Sequence, residues 1–331
     1  CHSRLMPDGS LLSGAPCNFD SGDSRAGDLL FEQFRRSPKL SGGKQLYADH
    51  GVPWLANDPH SRFETMTDEE VDRFSSQDPG SPTGTVFARF NGSPLYTTRM
   101  ADLFGIADRR YLDATGTHAN RGPADVARYC ILVEFADQGV FGEHQMLPPE
   151  HRQILFRPLD EAMYAMALYL YSLEPPPSPY RFDEEAADGE QIFETESCSE
   201  CHPSPTYTNN QLVPVPGFDP PEEEEEEATR RLDISKRRVG TDPGLALRTR
   251  KGTGYYRVPS LRGLWYRGLF EHSGSLATLE DWFDPRRLRE DYVPTSWRGP
   301  GVKTRAVPGH EFGLDLDAED KRALIAFLLT L

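Results

Sequence analysis

The segment Cys198–His202 combines two thiols and an imidazole in the pattern C-x-x-C-H. This spacing is typical of the attachment site of a c-type haem, in which both thiols form thioethers to the porphyrin and the following histidine binds the iron. The alternative is a zinc site or a thiol-redox pair that happens to precede a histidine. Tetrahedral zinc needs four ligands, and the sequence has no second C-x-x-C pair. The motif therefore predicts a covalently bound haem and redox chemistry.

The chain begins with Cys1-His2. Beside a C-x-x-C-H motif, these two residues have the form of the end of a second attachment motif whose first residues lie upstream, and Gly9 fits the turn that follows such a motif. A lipoprotein whose mature chain begins at a lipidated cysteine is the alternative. Haem is attached covalently outside the cytoplasmic membrane. We therefore expect that a leader has been removed and that the protein is periplasmic or otherwise extracytoplasmic.

The composition of the chain disfavours some functions. Its 331 residues suffice for two domains of ordinary size, and its 28 glycines and 28 prolines predict many loops. The formal net charge is −16, to which the predicted solvated loop Glu222–Glu227 contributes six negative charges. Nucleic-acid binding needs clustered lysines and arginines and is not expected, whereas a basic redox partner suits this charge. No apolar run reaches the roughly 20 residues that cross a bilayer.

A proline-rich segment, 175–181, is the predicted linker between an N-terminal domain (1–174) and a C-terminal domain (182–331). Consecutive prolines cannot continue a helix and act as a stiff spacer. Below, these two stretches are called the N-terminal part and the C-terminal part.

The C-terminal part has the predicted element order of a cytochrome c domain. We predict a helix over Phe182–Glu196, in which Gly189 lets a second helix cross closely. The haem motif follows, and an amphipathic helix is predicted over Asp317–Leu331.

The N-terminal part is predicted to be loop-rich with three helices. One runs from Thr67 to about Ser75, and one covers Ala124–Asp137 with Pro123 at its start. The longest is predicted over Glu150–Leu173, with a break at Pro158. We find no convincing strand. The predicted fold class is therefore mostly α, with two cytochrome c-like domains, long loops and little β.

Two cysteines, Cys17 and Cys130, remain outside the haem motifs. In an oxidising compartment they could form a disulfide. A buried free thiol at Cys130, within an apolar run, is the alternative.

Two segments of the C-terminal part, Arg257–Gly263 and Phe270–Glu280, resemble the C-terminal domain of bacterial di-haem cytochrome c peroxidases. Cys1–Gly9 and Gly309–Gly313 are more similar to the branch of di-haem proteins that includes the rubber oxygenases. The resemblance implies one haem c in each of two cytochrome c domains. One haem would react with peroxide or dioxygen, and the other would store or relay an electron. Some relatives also hold Ca²⁺ between the domains.

The resemblance also implies axial ligands for the haem at His202. The rubber-oxygenase-like pattern puts an axial histidine at His310, so we predict His202 and His310 as the pair. The peroxidase pattern expects methionine or tyrosine at the position of Arg286, which cannot bind iron, and no methionine follows Met166. His272 is then predicted to line the haem edge, with a hydrogen-bonded histidine that stabilises a turn as the more ordinary interpretation.

The sixth ligand of the haem at His2 stays open in the sequence. The candidates are His118, His144, His151, Met66 and Met100. His118 and Arg121 would suit a polar distal pocket, where a histidine moves protons and an arginine stabilises charge on bound oxygen. The resemblance favours this haem as the one with an open position.

A group of basic and aromatic residues between Lys251 and Trp265 is the last candidate feature. Arg257 and Arg262 suit haem propionates, since the guanidinium fork binds carboxylates bidentately. Trp265 could lie between the haems and assist electron transfer, or it could simply pack against porphyrin.

Two functional hypotheses follow. The first is a di-haem c-type oxidoreductase, peroxidase-like or oxygenase-like, that reacts with peroxide or dioxygen at the haem on His2. It would act on a small-molecule substrate or exchange electrons with a partner protein, and the bis-histidine haem at His202 would relay electrons. The alternative is an electron-transfer di-haem cytochrome c without substrate chemistry, in which both irons are six-coordinate.

Overall fold

The structure, a computed structural model, describes residues 2–18, 67, 85–87, 97–134, 140–141, 144–145, 159–219, 234–248, 253–298 and 302–331. Within these ranges the regular structure is mainly α-helical, and the strands form four two-stranded antiparallel sheets. A mostly helical fold with little β-structure is therefore confirmed for this part of the chain. No helix in it is long and apolar enough to cross a membrane.

The described ranges contain seven α-helices: α1 (Pro123–Glu134), α2 (Asp160–Tyr171), α3 (Glu184–Thr195), α4 (Cys198–Cys201), α5 (Gly244–Arg248), α6 (Leu279–Trp282) and α7 (Ala318–Thr330). The strand pairs are β1 (Ser3–Leu5) with β2 (Leu11–Ser13), β3 (Thr85–Phe87) with β4 (Thr97–Arg99), β5 (Val140–Phe141) with β6 (His144–Gln145), and β7 (Leu212–Pro214) with β8 (Tyr255–Arg257). Two 3-10 turns occupy Ile106–Asp108 and Pro285–Leu288.

The hairpin of β1 and β2 directly follows His2, with Arg4 opposite Leu12. Gly9 in its turn has φ 84°, a left-handed conformation that glycine adopts without strain. The expectation of no convincing strand is therefore wrong here. A strand of three residues is too short to show an alternating pattern of apolar residues.

Helices α3 and α7 cross closely at Gly189. A Cβ atom at that position would lie 1.9 Å from the carbonyl oxygen of Ala323 and 2.9 Å from Cβ of Phe327. The two helices predicted for the C-terminal part and their close crossing are thus confirmed. Each helix begins at an aspartate whose side chain accepts hydrogen bonds from the first turn, Asp183 for α3 and Asp317 for α7.

The apolar core of the C-terminal part surrounds this crossing. Its buried members come from α3, α6, α7 and the loops between them: Phe193, Leu264, Phe270, Leu276, Leu279, Phe283, Val307, Leu324, Ile325, Phe327 and Leu328. A second cluster lies between α1 and α2 in the N-terminal part, with Val126, Ala167 and Leu170 buried. A third, formed by Ala15, Phe104 and Tyr266, contains residues of both parts.

Other sequence predictions have mixed outcomes. Helix α1 agrees with the prediction from Pro123, and α2 agrees with the later part of the long predicted helix. Residues 68–75, 151–158 and 222–227 lie outside the described residues, and with them most of the first predicted helix, the break at Pro158 and the acidic loop. The division into two domains stays a prediction.

The proline-rich segment contains no helix or strand. It is tied to the end of α7, because Ser178 Oγ donates to the carbonyl oxygen of Leu329 at 2.6 Å. Cys17 and Cys130 are both free thiols, so the structure contains no disulfide between them.

Candidate haem sites

The two cysteines of the motif lie on a single helical turn. Ser197 enters α4 with φ 62°, and the backbone N–H of His202 donates to the carbonyl of Cys198 at 2.9 Å. Residues three apart lie on the same side of a helix, so Cys198 and Cys201 present their thiols to the same side of this turn. Both thiols are free and half-buried. This is the local arrangement that attachment to one porphyrin edge requires.

The environment of these thiols is unsuited to thiolate chemistry. Burial, and then the charge of Glu196, raise the pKa of Cys198 to about 11. Burial also raises the pKa of Cys201. A thiol-redox pair or a metal thiolate needs a lowered cysteine pKa, so this geometry disfavours the redox-pair alternative.

The imidazole of His202 is oriented by a backbone carbonyl. Its Nδ1 lies 3.0 Å from the carbonyl oxygen of Tyr207. With the proton on Nδ1, this bond fixes the ring and leaves Nε2 as the ligand nitrogen, as in most metal-binding histidines. Burial lowers the pKa of His202, which keeps the ring in the neutral form that binds metal ions.

The structure brings His310 close to His202. Burial is the main reason that the pKa of His310 falls to about 3, and the charge of His202 is the second. The two imidazoles are therefore near enough to interact electrostatically. The Nδ1 atom of His310 is buried and has no hydrogen-bond partner, while the ring packs against Trp282 and Phe312 at centroid distances of 5.2 and 5.5 Å.

An unpartnered buried nitrogen beside a second buried, neutral imidazole fits an axial pair of a haem. The residues present thus fit the group that the motif implies: two thiols on one turn and two neutral imidazoles next to them. Arg286, at the position where the peroxidase pattern expects a ligand, is on the surface in an ion pair with Asp284.

His272 has a separate environment. Its ring stacks on Tyr256 with a centroid distance of 3.7 Å and an interplanar angle of 10°. Its Nε2 lies 2.9 Å from Oγ1 of Thr241, and burial lowers its pKa. These contacts favour the interpretation as a hydrogen-bonded histidine that stabilises a turn. A position at the haem edge stays a prediction.

His2 repeats the arrangement of His202. Its Nδ1 lies 3.0 Å from the carbonyl oxygen of Ala101, so the ring has the same kind of backbone partner. Cys1 lies outside the described residues. Among the candidate sixth ligands, Met100 is buried one residue before the carbonyl that contacts His2. His151, Met66 and the side chain of His144 lie outside the described part, so the sixth ligand stays open.

The predicted distal pair of this haem is not assembled into a pocket. Arg121 is 76% exposed and forms an ion pair at 3.0 Å with Asp125, in the first turn of the helix that follows it. Its role as a distal residue stays a prediction. His118 packs edge-on to Tyr129, with its Nδ1 3.6 Å from a carboxylate oxygen of Asp113. Its role in proton transfer stays a prediction.

Trp265 lies where the two parts of the chain meet. It packs edge-on to Tyr266 at 5.1 Å and against the cluster that contains Ala15 and Phe104. Its Nε1 atom is buried without a hydrogen-bond partner. The hydroxyl of Tyr266 donates to Asp102 at 2.9 Å, which anchors this aromatic group next to the segment that contacts His2.

Arg262 is engaged by protein carboxylates. It contacts Asp108 at 3.1 Å and Glu174 at 3.0 Å. It therefore joins the turn Ile106–Asp108 to the start of the proline-rich segment. The guanidinium of Arg262 thus has two carboxylate partners, and its role at a haem propionate stays a prediction.

Sequence reasoning missed most of a buried arginine cluster. Its members interact electrostatically with one another: Arg99, Arg109, Arg257 and Arg267. Arg267 pairs with Asp102 at 2.7 Å, and Arg109 donates to backbone carbonyls of Asp102 and Phe104. These residues lie on separate segments, so no local motif marks them.

Arg99 and Arg257 form no ion pair with a carboxylate of the described residues. The Nε atom of Arg257 is buried without a partner, and the one hydrogen bond of its guanidinium to a described residue, the carbonyl of Val258, is long at 3.5 Å. Burial lowers the pKa of Arg257 to about 9 and that of Arg99 to about 10. Asp102, Glu271 and Asp113 act on these two cations electrostatically without forming ion pairs with them. Desolvated cations without a direct carboxylate partner are costly, so the cluster suits a carboxylate-bearing ligand such as a haem.

This cluster adjoins His2 through the backbone. Arg99 lies two residues before Ala101, whose carbonyl contacts His2. The backbone N–H of Arg99 donates to the carbonyl of His272 at 3.0 Å. Arg257 donates its N–H to the carbonyl of Ala114 at 2.8 Å. The site thus needs residues from both parts of the chain.

Comparison with known proteins gave structural similarity only. No family model matches the sequence, and no curated protein matches it. The chain is similar to hydrazine synthase of Kuenenia stuttgartiensis, with 17% identity, 87% of each chain covered and a TM-score of 0.41. It is also similar to a MauG-like protein associated with microbial copper homeostasis, with 17% identity, 71% of this chain and 73% of that chain covered and a TM-score of 0.39.

A third similar structure is the diheme peroxidase BthA of Burkholderia thailandensis, with 16% identity, 71% of this chain and 66% of that chain covered and a TM-score of 0.31. The resemblance to di-haem peroxidases that was stated from the sequence segments stays a resemblance. At these identities and TM-scores no residue role is transferred to this chain.

Proposed function

We propose that this chain is a di-haem c-type oxidoreductase. In this proposal the haem on His2 reacts with peroxide or dioxygen, and the haem on His202, with His310 as its second axial ligand, relays electrons. The observation that carries the proposal is the pairing of His202 and His310. Two half-buried, neutral imidazoles interact electrostatically, and one of them, His202, directly follows the turn that carries two free thiols.

The residues that would hold the two haems divide between the parts of the chain. Cys198 and Cys201 would carry the thioether bonds of one haem, with His202 and His310 on its iron. Cys1 and His2 would belong to the other. When bound, haem iron supplies a one-electron redox centre, and an open axial position adds a binding site for a small molecule.

The protein's own contribution at His202 is orientation and exclusion of water. The carbonyl of Tyr207 fixes the ring, and the rings of Trp282 and Phe312 cover the imidazole of His310. Two filled axial positions limit a haem to electron transfer. The reactive position is therefore assigned to the haem on His2, whose sixth ligand is open.

Further parts of the proposal concern location and partners. We propose an extracytoplasmic location, because covalent haem attachment takes place there, and a donor or acceptor protein or a small-molecule substrate as the redox partner. The Ca²⁺ implied by some relatives is not part of the proposal.

The alternative is an electron-transfer cytochrome in which both irons are six-coordinate. Met100, buried beside the backbone partner of His2, is the observation that keeps this alternative.

The resting spectrum separates the two functions. We expect two haems by intact mass, with one low-spin and one high-spin signal in electron paramagnetic resonance, because the proposal gives a second histidine ligand only to the haem at His202. Peroxide and cyanide should change the high-spin signal alone. Two low-spin haems that do not react with peroxide, cyanide or carbon monoxide would exclude the oxidoreductase and leave the electron carrier.

A substitution in the arginine cluster tests the assignment of its ligand. Replacing Arg257 with Gln should destabilise the haem-loaded protein by about 1.5–3 kcal/mol, the usual range for a hydrogen bond to a charged group. It should also lower the reduction potential of one haem, because positive charge favours the reduced iron. Denaturant unfolding and a redox titration measure the two effects.

Arg262 provides the matched control, since it belongs to the same sequence segment but forms surface ion pairs with Asp108 and Glu174. Such pairs contribute about 0–1 kcal/mol, and Arg262→Gln should leave both potentials unchanged. Equal effects of the two substitutions on the potentials would contradict a propionate role for Arg257.

A further inference from the structure

Arg287 is a fully buried arginine, at 0% exposure, on the 3-10 turn that precedes the loop of His310. Its three donor groups each bond a different backbone carbonyl. Nε donates to Trp282 at 2.7 Å, Nη1 donates to Val307 at 2.8 Å and Nη2 donates to His310 at 2.8 Å. No carboxylate of the described residues forms an ion pair with it.

These bonds connect the end of a helix to two positions in a loop. Trp282 ends α6, whereas Val307 and His310 belong to a loop without helix or strand. The N–H of Val307 also donates to the carbonyl of Arg287 at 2.7 Å. The guanidinium lies over the ring of Trp282, 5.2 Å from its centroid, and Trp282 itself packs against the ring of His310.

Every hydrogen bond of this buried cation goes to a carbonyl, and the carboxylates that interact with it electrostatically, Glu271 and then Glu311, form no ion pair with it. Moving a charged group out of water costs free energy that hydrogen bonds to neutral acceptors offset only in part. A neutral side chain could bond one or two of these carbonyls without that cost. The charge itself therefore needs a reason. The charge lies on a group that bonds the carbonyl of the proposed ligand's own residue, His310, at 2.8 Å.

The neighbouring residue shows how different this position is. Arg286 is 78% exposed and pairs with Asp284, the N-cap of the same 3-10 turn. Two consecutive arginines thus have opposite environments, and only the second one reaches the backbone of His310.

We propose that Arg287 is a positioning residue of the haem at His202: it holds His310 in place as the second axial ligand, and its buried charge raises the reduction potential of that haem. The inference rests on the proposed ligand pair. A fixed positive charge close to iron disfavours the ferric state, and a carbonyl anchored on the ligand's own residue limits its displacement.

The test uses the haem-loaded full chain with Arg287→Met, Arg287→Lys and Arg286→Gln. In Arg287→Met we expect the low-spin haem to bind carbon monoxide and its reduced-to-oxidised ratio at fixed potential to fall at least tenfold, about 59 mV for a one-electron couple. Arg287→Lys keeps the charge but cannot reach three carbonyls. This variant should therefore bind carbon monoxide, while its reduced-to-oxidised ratio at fixed potential should change less than threefold. Arg286→Gln should match the wild type in both measurements.

The inference is overturned if Arg287→Met stays inert to carbon monoxide with an unchanged potential. If that variant does not fold, Arg287→Lys decides: carbon monoxide binding supports the inference and inertness overturns it. The proposed ligand pair is tested separately by His310→Ala. If His310→Ala keeps the wild-type low-spin signal, the proposed ligand pair is wrong. If His310→Ala loses the signal and Arg287→Met behaves as the wild type, only the proposed role of Arg287 is wrong.

Discussion

Replacing His310 with alanine is expected to convert the haem at His202 from a six-coordinate low-spin centre into one with an open axial position. The reason lies in the composition of the C-terminal part, where His202, His272 and His310 are the only histidines and no methionine follows Met166. His272 is already bonded to Thr241 and stacked on Tyr256. No other strong axial ligand is therefore available in the same part.

The measurement is electron paramagnetic resonance with carbon monoxide titration of the reduced protein. We expect the low-spin signal of this haem to disappear, carbon monoxide to bind, and added imidazole to restore a low-spin signal, because the side chain leaves space next to Trp282 and Phe312.

His272→Ala is the matched control. It removes a buried histidine from the same part of the chain, but one whose Nε2 is bonded to Thr241. The low-spin signal should persist in this variant. If His272→Ala loses the signal and His310→Ala keeps it, the assignment of the ligand is wrong and His272 takes its place.

Gly189→Ala is expected to destabilise the protein by roughly 3 kcal/mol or more, against the usual effect of this substitution. In an ordinary helix, alanine is more favourable than glycine by about 0.5–1 kcal/mol. Here the added Cβ would lie 1.9 Å from the carbonyl oxygen of Ala323, and backbone cannot move aside as a side-chain end can. Overpacking of a tight core typically costs 1–3 kcal/mol, and separating two helices adds lost contacts.

Denaturant unfolding of the haem-loaded protein measures this effect. Gln191→Ala provides the control, because Gln191 lies on the exposed side of the same helix and its replacement should change stability by less than about 0.5 kcal/mol. Helix α3 leads directly into the attachment turn, so we also expect a lower yield of haem-loaded chain for Gly189→Ala. Wild-type stability of this variant would show that α3 and α7 do not cross as described.

The features that sequence analysis captured depend on local patterns. Gly189 with its apolar neighbours, and the apolar face of α7, are visible within a few turns of helix, and C-x-x-C-H carries its chemistry in five residues. His310 needed the resemblance, because nothing in the spacing connects it to His202. Arg121 was assigned to a pocket from its residue type alone, while its helical neighbour Asp125 was available to pair with it.

The arginines that matter most could not be recognised in this way. Arg286 and Arg287 are adjacent residues of the same type, and only the folded structure shows that the first is exposed and the second is buried. Arg257 was singled out from its own sequence segment, but its proximity to Arg99 joins distant segments, so the cluster exists only in the folded protein.

The short segment Arg99–Ala101 has a consequence for maturation. At one end, the N–H of Arg99 bonds the carbonyl of His272, and at the other end the carbonyl of Ala101 contacts His2. The first histidine therefore obtains its backbone partner from a segment that is held by the C-terminal part. We expect the N-terminal part to be unable to mature alone: completion of its haem site and folding of the C-terminal part are coupled steps in the assembly of one protein.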